Sequence, residues 1–195
     1  MSDLPRPYVR ELGNRFLSVR AAKRLTAVIL FHQEQNLSQM RNKMAIREYP
    51  DGLDCVWLAS DRNGNLGAFV TGGVGPIPIS ALSNSSFPIE DVEAVLCELP
   101  QVSEVQLIVP MKRPDDFIGM ARCGFFVYDW RDVHRTAHES THTYELVAAP
   151  LNPITTTMLP EHLKRIIMNT RLPNFAFIEE RVLDIAAVLE CRSAD

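Results

Sequence analysis

Between residues 53 and 82 the apolar positions form two short dense runs, parted by a polar stretch and followed by glycines and prolines. In residues 54–60, Cys55, Trp57 and Ala59 alternate with Val56 and Leu58. A segment apolar on both faces is the pattern of a strand inside a sheet. Asn63 and Gly64 follow in a polar run, and both residue types tolerate the left-handed backbone that reverses a chain. Residues 66–71 then pair back, with Leu66, Ala68 and Val70 alternating against Phe69. The pattern predicts a β-hairpin as the organising element of the chain. The stretch GGVGPIP over 72–78 resembles a phosphate cradle in its glycines alone. Such a cradle needs free backbone N–H groups and a helix start, and Pro76 and Pro78 remove both, so a rigid turn is expected.

The remaining pattern mixes helices and strands without a regular βα repeat. Asn84, Ser85 and Ser86 break the chain, and Pro88 suits a first helical turn. Ile89, Val92, Leu96 and Leu99 share a helical face that Pro100 ends. Residues 105–109 read as a strand. Asp115 and Asp116 favour a helix start, Phe117, Met120 and Ala121 supply its buried side, and Gly124 caps it. FFVYDW over 125–130 is another strand, with residues 144–148 as its antiparallel partner across a polar link. Pro160 starts a helix carrying Leu163, Ile166 and Ile167. Ile178, Val182, Ile185, Ala186 and Leu189 keep helical spacing and predict a last helix. The sum is an α+β fold with a largely antiparallel sheet and helices packed on it.

Charge divides the chain. Residues 1–43 hold eight Lys or Arg (Arg6, Arg10, Arg15, Arg20, Lys23, Arg24, Arg41 and Lys43) against Asp3, Glu11 and Glu34. That segment is +5, and residues 44–195 are −9, for a net −4. Val9, Leu12, Phe16 and Val19 predict a helix in the basic part, so the expected organisation is a helical extension over 1–43 and one α+β domain over 44–195. Met44 has the look of a natural start. A nucleic-acid arm is the competing reading of the extension, disfavoured by its few aromatics and the acidic remainder. Residues 25–31 follow basic residues as a secretory signal would, but no small-residue cleavage site follows. A cytoplasmic protein without a membrane segment is expected. The four cysteines, Cys55, Cys97, Cys123 and Cys191, form no CxxC and sit among apolar residues, as reduced core thiols do.

One stretch carries explicit chemistry. His138, Glu139, Ser140, Thr141 and His142 match HExxH, and eighteen residues separate His142 from Glu161. On a helix such histidines share a face and hold zinc, while the glutamate activates a bound water. The spacing resembles that of gluzincin metallopeptidases, which would make His138, His142 and Glu161 the zinc ligands and Glu139 the catalytic base. Against this stand the neighbours. Serine and threonine crowd the motif, and it lies between two strand-like segments, where a polar loop is expected and a helix is not. No zinc and no catalytic residue is the favoured expectation, and the zinc peptidase its alternative.

Other constellations read as structural. Cys123 and His134 offer a thiol–imidazole pair, but a buried inert thiol fits the surroundings better. Asp51, Asp54 and Asp61 flank the hairpin, where acids serve turns and strand ends. Trp57 and Trp130 read as core anchors.

The segments WLASDRNGNLGAFVTGGVGPIP, ARCGFFVYDW, YELVAAPLNPI and LPEHL together resemble a group of small, uncharacterised bacterial proteins over about residues 46–177. Some of these resemble immunity proteins of contact-dependent or polymorphic toxin systems. The resemblance rests on turn-forming and core-forming residues and brings no catalytic residue with it. It implies a non-enzymatic cytoplasmic protein that binds and blocks a protein partner. A basic toxin domain would suit the acidic domain electrostatically.

Overall fold

The computed structural model describes residues 48–83 and 88–193. The predicted N-terminal helix and the break at 84–86 lie outside the described residues. A mixed sheet of seven strands forms the frame. Strands β1 (Val56–Asp61) and β2 (Leu66–Val70) are the predicted antiparallel hairpin, paired from Val56 with Val70 to Ser60 with Leu66. Every residue of both strands is buried, as the two-faced apolar pattern requires. Gly64 makes the reversal at φ 83°.

The hairpin sits inside the sheet. On its β2 side runs β5 (Phe126–Asp129), and on its β1 side the short β7 (Arg171–Leu172). Both of these neighbours are parallel to their partners. β6 (Tyr144–Pro150) pairs antiparallel with β5, as expected, and β4 (Val105–Leu107) and β8 (Val182–Leu183) both pair antiparallel with β6. The expectation of a largely antiparallel sheet therefore needs a coarser form, since parallel contacts flank the hairpin on both sides. A parallel neighbour requires a crossover, and the chain makes one between β2 and β5. That crossover contains the short α1 (Ile79–Leu82), a 3-10 turn with α2 (Val92–Cys97), β4, and α3 (Asp115–Arg122).

The two faces of the sheet differ. Trp57, Phe69 and Tyr128 stand in register on one face. Trp57 stacks on Phe69 at 4.0 Å between ring centroids, and Phe69 on Tyr128 at 5.1 Å. Tyr144 meets Trp57, Phe69 and Trp130 edge-on. Its hydroxyl accepts from Trp57 Nε1 at 3.1 Å and donates to the Pro76 carbonyl at 3.0 Å, so the ring cluster is pinned to the glycine–proline loop. Phe177 closes this layer, and Asp61 holds it there: the fully buried carboxylate accepts from Phe177 N as well as from Asn63 N and Asn65 N. The helices α2, α3 and α4 (Glu161–Asn169) pack on the sheet, with Leu163, Ile166 and Ile167 buried as their spacing predicts.

The last predicted helix is absent. Residues 178–189 instead form turns around β8, and β9 (Cys191–Arg192) pairs with β3 (Ile77–Pro78). Ile178 and Val182 are exposed while Ile185 is buried, so the helical spacing does not make one buried face. Leu146 N donates to the Arg181 carbonyl, and Ala187 N to Asp184 Oδ1, bonds that replace those of a helix. One cysteine also departs from expectation: Cys97 is exposed, although all four are free thiols.

Candidate functional site

The HESTH segment is built around a polar loop. A 3-10 turn, Arg131–His134, leaves β5, and the chain returns to β6 at Tyr144. Asp132 organises the link. Its carboxylate accepts from Thr141 N at 3.0 Å and His142 N at 2.8 Å, and pairs with Arg135 at 3.2 Å. Burial alone would raise its pKa, but these donors outweigh it and the net shift is downward. Arg135 also pairs with Glu145. His138 and Glu139 fall in an exposed turn, and Glu139 accepts from the Thr136 hydroxyl at 2.8 Å, which lowers its pKa. His142 has φ 54° and an 81% exposed side chain. The two histidines are thus not in helical register. Glu161 begins α4, exposed, beside Lys164 and Arg165. Among the described residues no group of three or more His, Cys, Asp or Glu is placed to hold a metal ion. These residues do not fit a zinc centre, and Glu139 is held by a neighbour rather than poised over a water.

The other sequence candidates are structural groups. Cys123 is buried, and its thiol donates to the carbonyls of Leu96 at 3.7 Å and Leu99 at 3.6 Å. Burial raises its pKa, the opposite of what a nucleophilic thiolate needs. Asp54 accepts from Gly72 N at 2.8 Å and the Thr71 hydroxyl at 3.2 Å, locking the glycine turn to the start of β1. Gly72 and Gly73 both take positive φ there, which explains the glycines without a phosphate.

The chemically distinctive feature is one that sequence reading missed. Strands β2 and β5 run parallel and end side by side, with Val70 opposite Asp129. Beyond their ends opens a groove of about 830 Å³. Asp54 and Asp129 line it together with Lys112, Arg113, Arg131 and His134. Val109 and Phe117 supply apolar wall. A crevice at the carboxyl ends of parallel strands is a general location for ligand sites, because chain reversals there leave loops to shape it.

Asp129 is 8% exposed, and its carboxylate makes no hydrogen bond or ion pair with another described residue; its oxygens reach solvent, since no buried side-chain oxygen or nitrogen among the described residues lacks a partner. Burial, reinforced by the charge of Asp54, pushes its pKa up to about 6. His134 and Arg131 pull it down without cancelling that effect, and Glu145 adds to the rise. The signal available in the sequence was an acid inside the aromatic strand FFVYDW, where a buried face is expected.

A second electrostatic feature lies nearby. Residues 63–111 contain five acids and no Lys or Arg. Glu90, Asp91 and Glu98 are exposed around α2, and Asp116 at the start of α3. Half-buried Glu93 has a raised pKa, from burial first and then from Asp116 and Asp54. The like charges are therefore close enough to oppose one another. No helix among the described residues is long and apolar enough to cross a membrane. No protein-family model, no curated protein and no solved structure matches the chain.

Proposed function

We propose that residues 44–195 form a non-enzymatic binding domain that acts in the cytoplasm by docking on a basic protein partner, in the manner of an immunity protein. The observation that carries this reading is the acidic field spanning α2 and the start of α3. Glu93 is opposed by Asp116, and residues 63–111, which include Glu90 and Glu93, contain no Lys or Arg; Lys112 and Arg113 are the cations next in the chain. Like charges held together cost stability, and a surface that tolerates them gains when a positive surface covers it. The resemblance to immunity-like bacterial proteins supports the same class of partner, a toxin domain such as a nuclease.

The test is association with the product of the neighbouring gene, measured by stopped-flow and calorimetry from 50 to 200 mM salt. The expected result is an association rate that falls with salt, and falls by roughly tenfold in Glu90→Lys/Glu93→Lys. The partner's own activity should drop in step with occupancy. A complex whose association rate ignores both salt and the charge reversal would overturn the assignment of the acidic face.

A further inference from the structure

Helices α2 and α3 lie side by side and point the same way. At their starts Glu93 is opposed by Asp116. At their ends the Cys123 thiol donates to the carbonyls of Leu96 and Leu99. Charge is distributed along the same axis. Glu90, Asp91, Asp115 and Asp116 are exposed at the starting ends, while the far ends carry Glu98 against Arg122. Lys112 and Arg113, just before α3, line the groove beside Asp129. Where the two helices stop, a second pocket of about 410 Å³ opens, walled by Leu99, Val102, Cys123, Ile154, Met158 and Pro160 among others. We propose that this pocket is the anchor point of the docking surface: an aromatic or large aliphatic side chain of the basic partner inserts here, and Lys or Arg residues a few positions along the partner's chain meet the acidic ends of α2 and α3. The inference rests on the acidic field being the docking surface, and adds the anchor that a charged field alone lacks.

Three observations select that occupant. The first is the wall. No charged residue lines the pocket, and its one polar side chain, the Cys123 thiol, is already engaged with two carbonyls. Nothing in the wall answers a charged group, so what enters is apolar. The second is exposure. Met158 is 66% exposed and Val102 48%, and a side chain seated in the pocket would cover apolar surface that the fold leaves in water. Methionine also adapts its shape to what it packs against. The third is the spacing from pocket to acids. The eight residues of α3 span about 12 Å, and a partner footprint of about 800 Å² is roughly 30 Å across, so one partner covers both features. Binding energy concentrates on aromatic anchors in desolvated pockets, while surrounding charges speed encounter. A second copy of the chain is poorly suited, because residues 44–195 carry −9 and would set acids against acids. A small apolar molecule would fill the pocket and leave the acidic ends unanswered.

The experiment uses the full chain and the peptide acetyl-Trp-Gly-Ser-Lys-Lys-amide, whose extended backbone carries its lysines about 10–13 Å from the indole. Methyl NMR should show Ile154 and Met158 shifting on titration, with amide shifts at Glu90, Glu93 and Asp116. Exchanging the tryptophan for alanine should weaken binding at least tenfold and abolish the Ile154 and Met158 shifts. Exchanging both lysines for serine should weaken it several-fold and remove its salt dependence. The variant Val102→Ser/Met158→Ser alters two exposed side chains and should lose several-fold in affinity for the tryptophan peptide with an unchanged thermal midpoint. Equal binding of the tryptophan and alanine peptides, or no binding of either, would overturn the proposal. So would equal binding of the lysine and serine peptides, which would give the pocket to a small apolar ligand. Shifts of Ile154 and Met158 on raising protein concentration alone would give it to a second copy. In the complex with the neighbouring gene's product, Val102→Ser/Met158→Ser should raise the dissociation rate at least tenfold and leave the association rate unchanged, the reverse of Glu90→Lys/Glu93→Lys. A product that does not bind would sink the choice of partner, and the peptides would still decide the pocket.

Discussion

Replacing Asp129 with asparagine should make the protein more stable, although it alters a buried polar residue. The side chain keeps its shape and loses its charge. In the folded chain burial and the nearby Asp54 raise the pKa from an ordinary 3.8 to about 6. The folded state therefore binds the proton more tightly than the unfolded state. Well below pH 3.8 both states are protonated and the effect vanishes. As pH rises toward 6 the unfolded chain ionises first, and stability falls; above about 6 the full cost is present. Each decade in proton affinity is worth about 1.36 kcal/mol, so the natural protein carries about 3 kcal/mol of strain at pH 7.5. The asparagine amide is itself imperfectly satisfied, which reduces the expected gain to about 1.5–3 kcal/mol. Urea denaturation of both proteins at pH 7.5, 5.5 and 4.0 measures it, with m-values compared to confirm the same unfolding reaction. A gain that shrinks toward zero at pH 4.0 is expected. A gain equal at all three pH values, or a loss at pH 7.5, would refute the electrostatic account.

Other consequences are accessible to the same methods. Tyr144→Phe strips the fully buried Trp57 Nε1–H of its acceptor and should cost about 1–3 kcal/mol; an unchanged thermal midpoint would show that the hydroxyl is dispensable. Gly64→Val should cost about 1 kcal/mol or more, and Gly64→Asn less, because the obstacle is φ 83° rather than space, the nearest atom being Thr156 Oγ1 at 3.8 Å. Equal denaturation midpoints for the two variants would show that backbone strain is not the cause. The purified protein should carry no stoichiometric zinc by elemental analysis; one ion per chain, lost in both His138→Ala and His142→Ala, would restore the metallopeptidase reading. A chain beginning at Met44 should keep a sharp thermal transition, since the described core runs from Cys55 to Ile185; an insoluble product would mean that residues 1–43 complete that core.

What the sequence disclosed follows from whether the decisive interaction is local. The β1–β2 hairpin was legible because alternation and Asn63-Gly64 are both short-range signals, and Gly64 does take the left-handed turn. Helix α4 was legible because Leu163, Ile166 and Ile167 bury one face of one element. Residues 178–189 misled for the opposite reason. Their spacing satisfies a helix, but β6 offers a pairing edge at Glu145 opposite Val182, and a sequence does not display that partner. The HESTH motif was visible as letters; the loop it adopts is held by side-chain-to-backbone bonds, Ser140 Oγ to the Thr136 carbonyl and Thr141 N to the Asp132 carboxylate. Asp129 escaped notice because its isolation is a negative property. It depends on which donors fail to reach it, and only the assembled groove shows that.

The parallel contact between β2 and β5 has a consequence for synthesis. A ribosome releases β1 and β2 early, and they can pair at once as a hairpin. Their outer edges need Arg171–Leu172 and Phe126–Asp129, which emerge much later. At about 5–20 residues per second, roughly 3–12 seconds separate the completion of β2 from the arrival of β5. Throughout that interval VWLASD and LGAFV present apolar surface and unpaired backbone to the cell. The nascent chain is therefore most vulnerable to chaperone capture or intermolecular pairing in this window, and codon changes that slow translation between residues 71 and 125 should lower soluble yield without altering the finished protein.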